Sequence, residues 1–148
     1  MERFQKTQTA SILGIIGNVI LLVLKGIVGV LTQSQAMIAD ATNSASDIFS
    51  SVMTFIGNKI ASIPSDEDHN LGHGKAEYIY SLLISITMIV MGLTVMLDSI
   101  KSIIERQSFT FSIWLVIICI ITIIIKLFLY LYTRSIAIKH NNLLMKAN

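Results

Sequence analysis

Three polar side chains share one face of an otherwise apolar helical segment, and their chemical types suit a cation. Asp40, Asn43 and Asp47 have the i, i+3, i+7 spacing that places residues on one side of an α-helix. Carboxylate and amide oxygens are hard donors preferred by Mg²⁺, Ca²⁺ and Mn²⁺, whereas zinc sites more often include imidazole or thiolate. Asn43 and Asp47 lie one helical turn apart, so together they can supply two ligands to one ion.

Other roles for these side chains stay open at the level of sequence. Asn43 and Asp47 could instead form hydrogen bonds to neighbouring helices, as polar residues in membrane helices often do. Asp40 could be an accessory outer carboxylate that lines a water-filled cavity, accepts a proton or guides a cation, or it could extend to the outer membrane surface. Two ligands cannot complete a metal site, so another helix must supply the rest.

A second group of possible ligands lies between the second and third apolar segments. His69 and His73 are four residues apart, with Asp66 upstream and Asp68 as an accessory carboxylate. Such a cluster can bind a divalent transition metal. A solvated loop that binds no metal explains the same residues equally well.

Three lysines lie where they could pair with acids. Lys25 and Lys126 fall inside apolar segments, and each could pair with a carboxylate or extend its ammonium group to the membrane surface. Lys75 begins the third apolar segment and could pair with an acid of a neighbouring helix. An intramembrane enzyme that uses His69 or His73 is disfavoured, because no hydrolase or metalloprotease motif accompanies them.

The elements that carry these residues are predicted to be membrane helices. Hydrophobic residues make up 53% of the chain and charged residues 14%, against about 25% charged residues in typical soluble domains. A helix needs about 20 apolar residues to cross the bilayer core. The sequence therefore predicts an all-α membrane protein with four transmembrane helices, of which the second is the most polar. The predicted spans are residues 9–31, 34–60, 76–103 and 111–133.

Basic residues predict the orientation of these helices, because cytoplasmic segments are enriched in Lys and Arg. One side would carry seven basic residues and the other side two. Both termini and the loop 61–75 are therefore predicted to be cytoplasmic. The seven are Arg3, Lys6, Lys59, Lys75, Arg134, Lys139 and Lys146, and the two are Lys101 and Arg106.

Two motifs give the chain a family resemblance that covers nearly its whole length. The chain resembles the cation diffusion facilitator family of divalent-metal exporters, and in particular its manganese-exporting branch. The resemblance implies a six-helix transporter with a cytoplasmic C-terminal domain. Residues 1–148 would be its N-terminal four-helix part, without the fifth and sixth helices and the C-terminal domain. The motifs are Ser34-x-Ala36-x-x-Ala39-Asp40-Ala41-x-Asn43-Ser44-x-x-Asp47 and Asp66-x-x-His69-x-x-Gly72-His73-Gly74-Lys75-Ala76-Glu77.

The resemblance also implies roles for individual residues. Asn43 and Asp47 would form half of the central transport site, which the fifth helix completes. Lys75 would form a charge pair between the protomers of a homodimer. The loop site would consist of Asp66, His69 and His73.

A transport cycle follows from the same resemblance. It would be proton-coupled alternating access in a bacterial plasma membrane, with Mn²⁺ as the favoured cargo and Zn²⁺ or Fe²⁺ as other possible cargoes. The partners would be the metal ion, protons and lipid, with no permanently bound cofactor and no nucleic acid. The alternative is a non-transporting membrane remnant or an interaction partner of a full-length exporter.

Overall fold

All regular structure in the described part of the chain is helical, as predicted. The computed structural model describes residues 2–64, 73–105, 111–140 and 143–147. The first and fourth helices each extend seven residues beyond the predicted spans, because polar residues continue the helix past the apolar segment. The helices are α1 (Glu2–Leu31), α2 (Gln35–Ala61), α3 (Ala76–Ile104), α4 (Ile113–His140) and α5 (Leu143–Ala147).

Three of these helices have the length and apolar character needed to cross a membrane. The apolar segments are Phe4–Leu31 in α1, Ala76–Ile104 in α3 and Ile113–Lys139 in α4. α2 is 27 residues long, but its polar face excludes it from this group. The membrane crossing predicted for α2 therefore stays a prediction.

A tight turn folds α1 and α2 into an antiparallel pair. The Ser34 amide donates to the Gly29 carbonyl at 2.9 Å and the Gln33 amide to the Val30 carbonyl at 3.2 Å, the pattern of a Schellman motif. Gln33 occupies the left-handed position of this motif, with φ of 51°. The Ser34 side chain then accepts from the Met37 amide and caps the start of α2. The turn thereby sets how α2 is oriented against α1.

α2 lies at the centre of the helical arrangement. It packs against α1 on one side and α3 on another, while α4 packs against α1. The short helix α5 contacts α2, α3 and α4, and it buries Leu144 and Met145. The sequence did not predict α5, because five residues are too few to give a hydropathy signal.

The interface between α1 and α2 contains a row of buried polar side chains, here called the polar seam. Asn58 donates its amide to the Phe4 carbonyl at 2.9 Å, which joins the two helices. Several hydroxyl groups instead donate to the carbonyl four residues earlier in their own helix. Polar and small residues of this kind allow close packing between membrane helices. The polar seam comprises Thr7, Ser11, Asn18 and Lys25 of α1 and Ser44, Ser51, Thr54 and Asn58 of α2.

Candidate metal half-site

The three polar residues singled out in α2 all lie in one continuous helix. Asp40, Asn43 and Asp47 are each half-buried, and the unbroken helix keeps them on a common face. Asn43 and Asp47 are here called the half-site. The structure thus confirms the helical register on which the prediction rests, while the metal role of these residues stays a prediction.

Asp40 is paired with a lysine of α1. The Lys25 ammonium group lies 2.8 Å from Oδ2 of Asp40 and donates to Oγ of Ser44 at 3.1 Å. The Lys25 side chain is 0% exposed, whereas the Asp40 side chain is 44% exposed. Lys25 therefore pairs with a carboxylate within the chain and does not extend to a surface.

Asp47 is paired with a lysine of a different helix, α4. The Lys126 ammonium group donates to Oδ2 of Asp47, with the two side chains 34% and 18% exposed. The structure thus places a cationic side chain directly beside the carboxylate of the half-site.

Asn43 presents an open amide beside that ion pair. Within the described part of the chain, the Asn43 side chain makes no hydrogen bond. The interhelical hydrogen bond considered as an alternative role is therefore not formed there by Asn43, whereas Asn58 does form one. The half-site thus offers one amide oxygen without a partner and one carboxylate held by an ammonium group.

The second carboxylate, Asp40, borders a cavity of about 350 Å³ between the first turns of α2 and the start of α4. Most of its lining is apolar, including Met37, Phe111 and Leu115. The carboxylate lies at the wall of this space while its Oδ2 atom contacts Lys25. If Asp40 has an accessory role, its carboxylate must perform that role while it is paired with Lys25.

The predicted loop site is largely beyond what the structure describes. Asp66, Asp68 and His69 lie outside the described residues. His73 is half-buried just before α3, and Lys75 is exposed where that helix begins. Among the described residues, no three His, Cys, Asp or Glu side chains come together as a metal-binding group.

Sequence reasoning did not assign the partners of the two half-buried carboxylates, Asp40 and Asp47. It allowed each lysine to pair with an acid but could not choose which, and it gave Ser44 no role. A usable signal was present in α1. Thr7, Ser11, Asn18 and Lys25 repeat at intervals of four and seven residues, which places them on one helix face. All four residues are buried in the structure, and Lys25 contacts Asp40 and Ser44 of α2.

These features define an integral membrane protein with a charged, half-buried face on its central helix. A family model described as the cation efflux transmembrane domain matches residues 11–148. The chain therefore belongs to the cation diffusion facilitator family of transporters.

Individual relatives agree with this assignment. The chain is 32% identical over 137 residues to the magnetosome protein MamM of Magnetospirillum gryphiswaldense, covering 90% of the chain and 42% of the relative. It is 38% identical over 113 residues to the manganese efflux system protein MneS of Bacillus subtilis, covering 74% and 39%. The manganese efflux system protein MneP of the same organism is 31% identical over 107 residues, covering 72% and 36%. No solved structure gives a significant match.

The chain thus spans about two fifths of the length of the curated relatives that it matches. The family assignment and the apolar membrane helices are established for residues of this chain.

Proposed function

We propose that this chain carries half of the transport site of a divalent-cation exporter and that Mn²⁺ is the favoured cargo. The observation that carries the proposal is the geometry of the half-site. Asn43 and Asp47 lie one turn apart on α2, where the amide has no hydrogen bond among the described residues and the carboxylate is already paired with a cation. A bound metal ion would satisfy both groups at once.

The choice of Mn²⁺ rests on ligand chemistry and on the relatives. An amide oxygen and a carboxylate favour hard ions, and neither ligand is the imidazole or thiolate typical of zinc sites. Two of the relatives are named as manganese efflux proteins. Zn²⁺ and Fe²⁺ are the competing cargoes, because the ligands outside the half-site also determine selectivity.

The wider architecture that we propose follows the family. Residues 1–148 correspond to the N-terminal part of the transmembrane domain. α2 is the second of its four membrane crossings, and a fifth helix supplies the remaining ligands. Both termini face the cytoplasm of a bacterial cell, and exchange of cytoplasmic metal for external protons proceeds by alternating access. The exporter is a homodimer in which Lys75 forms a charge pair between protomers, and its exposed position at the start of α3 supports this.

Two accessory features complete the proposal. Asp66, His69 and His73, with Asp68 nearby, form a cytoplasmic metal site that loads the transporter. Asp40 serves as an outer accessory carboxylate. The support for the loop site is the spacing of its residues in the sequence, and the support for Asp40 is its place on the same α2 face.

The test is metal flux into proteoliposomes that contain the chain. Mn²⁺ movement should depend on an opposing proton gradient, fall to background in the Asp47→Ala variant, and exceed Zn²⁺ and Fe²⁺ movement. Asp98→Ala is the matched control, because Asp98 is an exposed carboxylate of a different helix, α3. Mn²⁺ flux that the Asp47→Ala change leaves intact would contradict the metal role of the half-site.

A second candidate function has one observation in its favour. The chain would then be a non-transporting partner of a full-length exporter, held in the membrane by its apolar helices. That role predicts no flux from the chain alone, whether or not it carries the Asp47→Ala change. It also predicts that the chain is recovered in complex with the full-length protein after both are expressed together.

A further inference from the structure

The proposed ligand Asp47 is already engaged, and its partner comes from another helix. Lys126 of α4 donates to Oδ2 of Asp47, while the neighbouring ligand Asn43 has no hydrogen bond among the described residues. A metal ion that uses Asp47 must therefore share or take the carboxylate from an ammonium group. The structure presents the half-site in its lysine-bound state.

The other intrahelical lysine cannot play the same part. Lys25 is fully buried and contacts Asp40 and Ser44, and among the described residues it contacts neither residue of the half-site. Lys126 has only Asp47 as an acceptor among the described residues, and a third of its side chain is open to the surroundings. Lys126 is thus the cation placed at the half-site.

We propose that Lys126 is a tethered cation that occupies Asp47 when no metal is bound and that an arriving divalent ion displaces it. This inference rests on the proposed function of the half-site. The lysine stem is long and flexible, so the ammonium group can withdraw toward its open side without movement of the α4 backbone. A divalent ion can replace it because it carries twice the charge and also gains the Asn43 oxygen as a ligand.

The arrangement has a clear consequence for transport. An exporter must release its cargo and then return without it, and a bare carboxylate within the bilayer opposes that return. Lys126 supplies a charge that stays with the protein and makes the empty half-site nearly neutral. It also weakens metal binding by competition, which favours release. Lys126 would therefore be a positioning residue that sets metal affinity.

The first test is Mn²⁺ binding to the purified chain in detergent, measured by titration calorimetry. Removal of the competitor in Lys126→Met should tighten binding about tenfold, within the usual range of coupling between two bound groups. Lys126→Arg keeps the competing charge and should leave the affinity close to wild type. Lys101→Met is the matched control, because Lys101 is an exposed lysine of α3 beside Glu105. Unchanged or weaker Mn²⁺ binding by Lys126→Met would overturn the inference.

The second test detects displacement directly. The chain is treated with a small amine-acylating reagent, and modification of each lysine is measured by mass spectrometry. Mn²⁺ should increase modification of Lys126, the Asp47→Asn change should increase it without metal, and Lys25 should stay protected throughout because it is fully buried. Protection of Lys126 that neither Mn²⁺ nor Asp47→Asn alters would overturn displacement.

These measurements separate the inference from the function on which it rests. Suppose that Mn²⁺ binding requires Asp47, but Lys126→Met leaves the Mn²⁺ affinity unchanged and Mn²⁺ leaves the modification of Lys126 unchanged. The metal role of the half-site is then supported, and the proposal of a tethered cation is wrong. If Mn²⁺ binds equally well to Asp47→Ala, the proposed metal role of the half-site fails, and the inference fails with it.

Discussion

The two lysine–aspartate pairs on α2 have the same chemistry but different surroundings. Lys25 is 0% exposed and contacts both Asp40 and Ser44, within the closely packed interface of α1 and α2. Lys126 is 34% exposed and contacts Asp47 across α2 and α4, which do not pack extensively against each other in the described residues. In the pair formed with α1, here called the enclosed pair, the lysine is fully enclosed by protein although the Asp40 side chain is 44% exposed. In the pair formed with α4, here called the open pair, the lysine itself is partly exposed.

This difference indicates what each pair can do. When one partner of an enclosed ion pair is removed, the other charge is left without solvent or a counter-ion, so the pair holds the helices together. In an open pair, protein does not enclose the lysine, so its long flexible side chain can move away from the carboxylate. Only the open pair involves the proposed metal ligand. The fold therefore separates a structural pair from one that can be exchanged.

The largest effect should come from breaking the enclosed pair. Asp40→Ala leaves the Lys25 ammonium group buried, with Ser44 as its remaining acceptor in the described part of the chain, so we expect a loss of about 3–5 kcal/mol in the free energy of unfolding. The loss arises mainly because the Lys25 ammonium group is left unpaired and its side chain is 0% exposed, and less because the Asp40 side chain is removed. Unfolding in mixed detergent micelles measures it.

A double variant controls for loss of side-chain volume in that experiment. Lys25→Met combined with Asp40→Leu removes both charges and should recover most of the lost stability, since neither charge stays unpaired. A loss below about 1 kcal/mol in Asp40→Ala alone would show that Lys25 finds another partner. The enclosed pair would then not differ from the open one.

The packing around the enclosed pair gives a second, smaller test. A Cβ atom at Gly29 would lie 2.9 Å from Cγ1 of Ile38 and 3.1 Å from its backbone nitrogen, so the start of α2 would have to shift. We expect Gly29→Ala to lower the free energy of unfolding by about 1–3 kcal/mol, as overpacking usually does. The same micelle unfolding experiment applies.

Gly26 provides the matched control for this substitution. It lies in the same helix, and a Cβ atom there would meet nothing within 4 Å. Gly26→Ala should be neutral or stabilising by up to about 1 kcal/mol, because alanine favours helix over glycine. Equal losses in both variants would indicate that α1 and α2 are not closely packed near the enclosed pair.

The sequence alone predicted the helices and the polar face of α2, because both follow from local patterns. Long apolar stretches identify membrane helices, and the spacing of Asp40, Asn43 and Asp47 defines a face regardless of what packs against it. The chemical nature of the half-site was likewise readable from its residue types. These predictions require no knowledge of how the helices meet.

The pairing of lysines with aspartates could not be predicted in the same way. It depends on the register of α1 and α4 against α2. The Schellman turn at Gln33 and close contacts such as that of Gly29 determine the register of α1 alone. A shift of one helical turn would bring Lys25 to a different part of α2. The polar repeat in α1 indicates which face packs, but not the residue that each side chain meets.

The smallest expected effect completes the comparison. Lys126→Met should change the free energy of unfolding by no more than about 1 kcal/mol, because the pair is partly open and Asp47 is 18% exposed. The same variant should tighten Mn²⁺ binding, so one substitution would separate stability from metal affinity. Micelle unfolding and calorimetry on a single preparation test both expectations. A loss of stability as large as that of Asp40→Ala would mean that Lys126 holds α2 and α4 together, and the contrast between the two pairs would disappear.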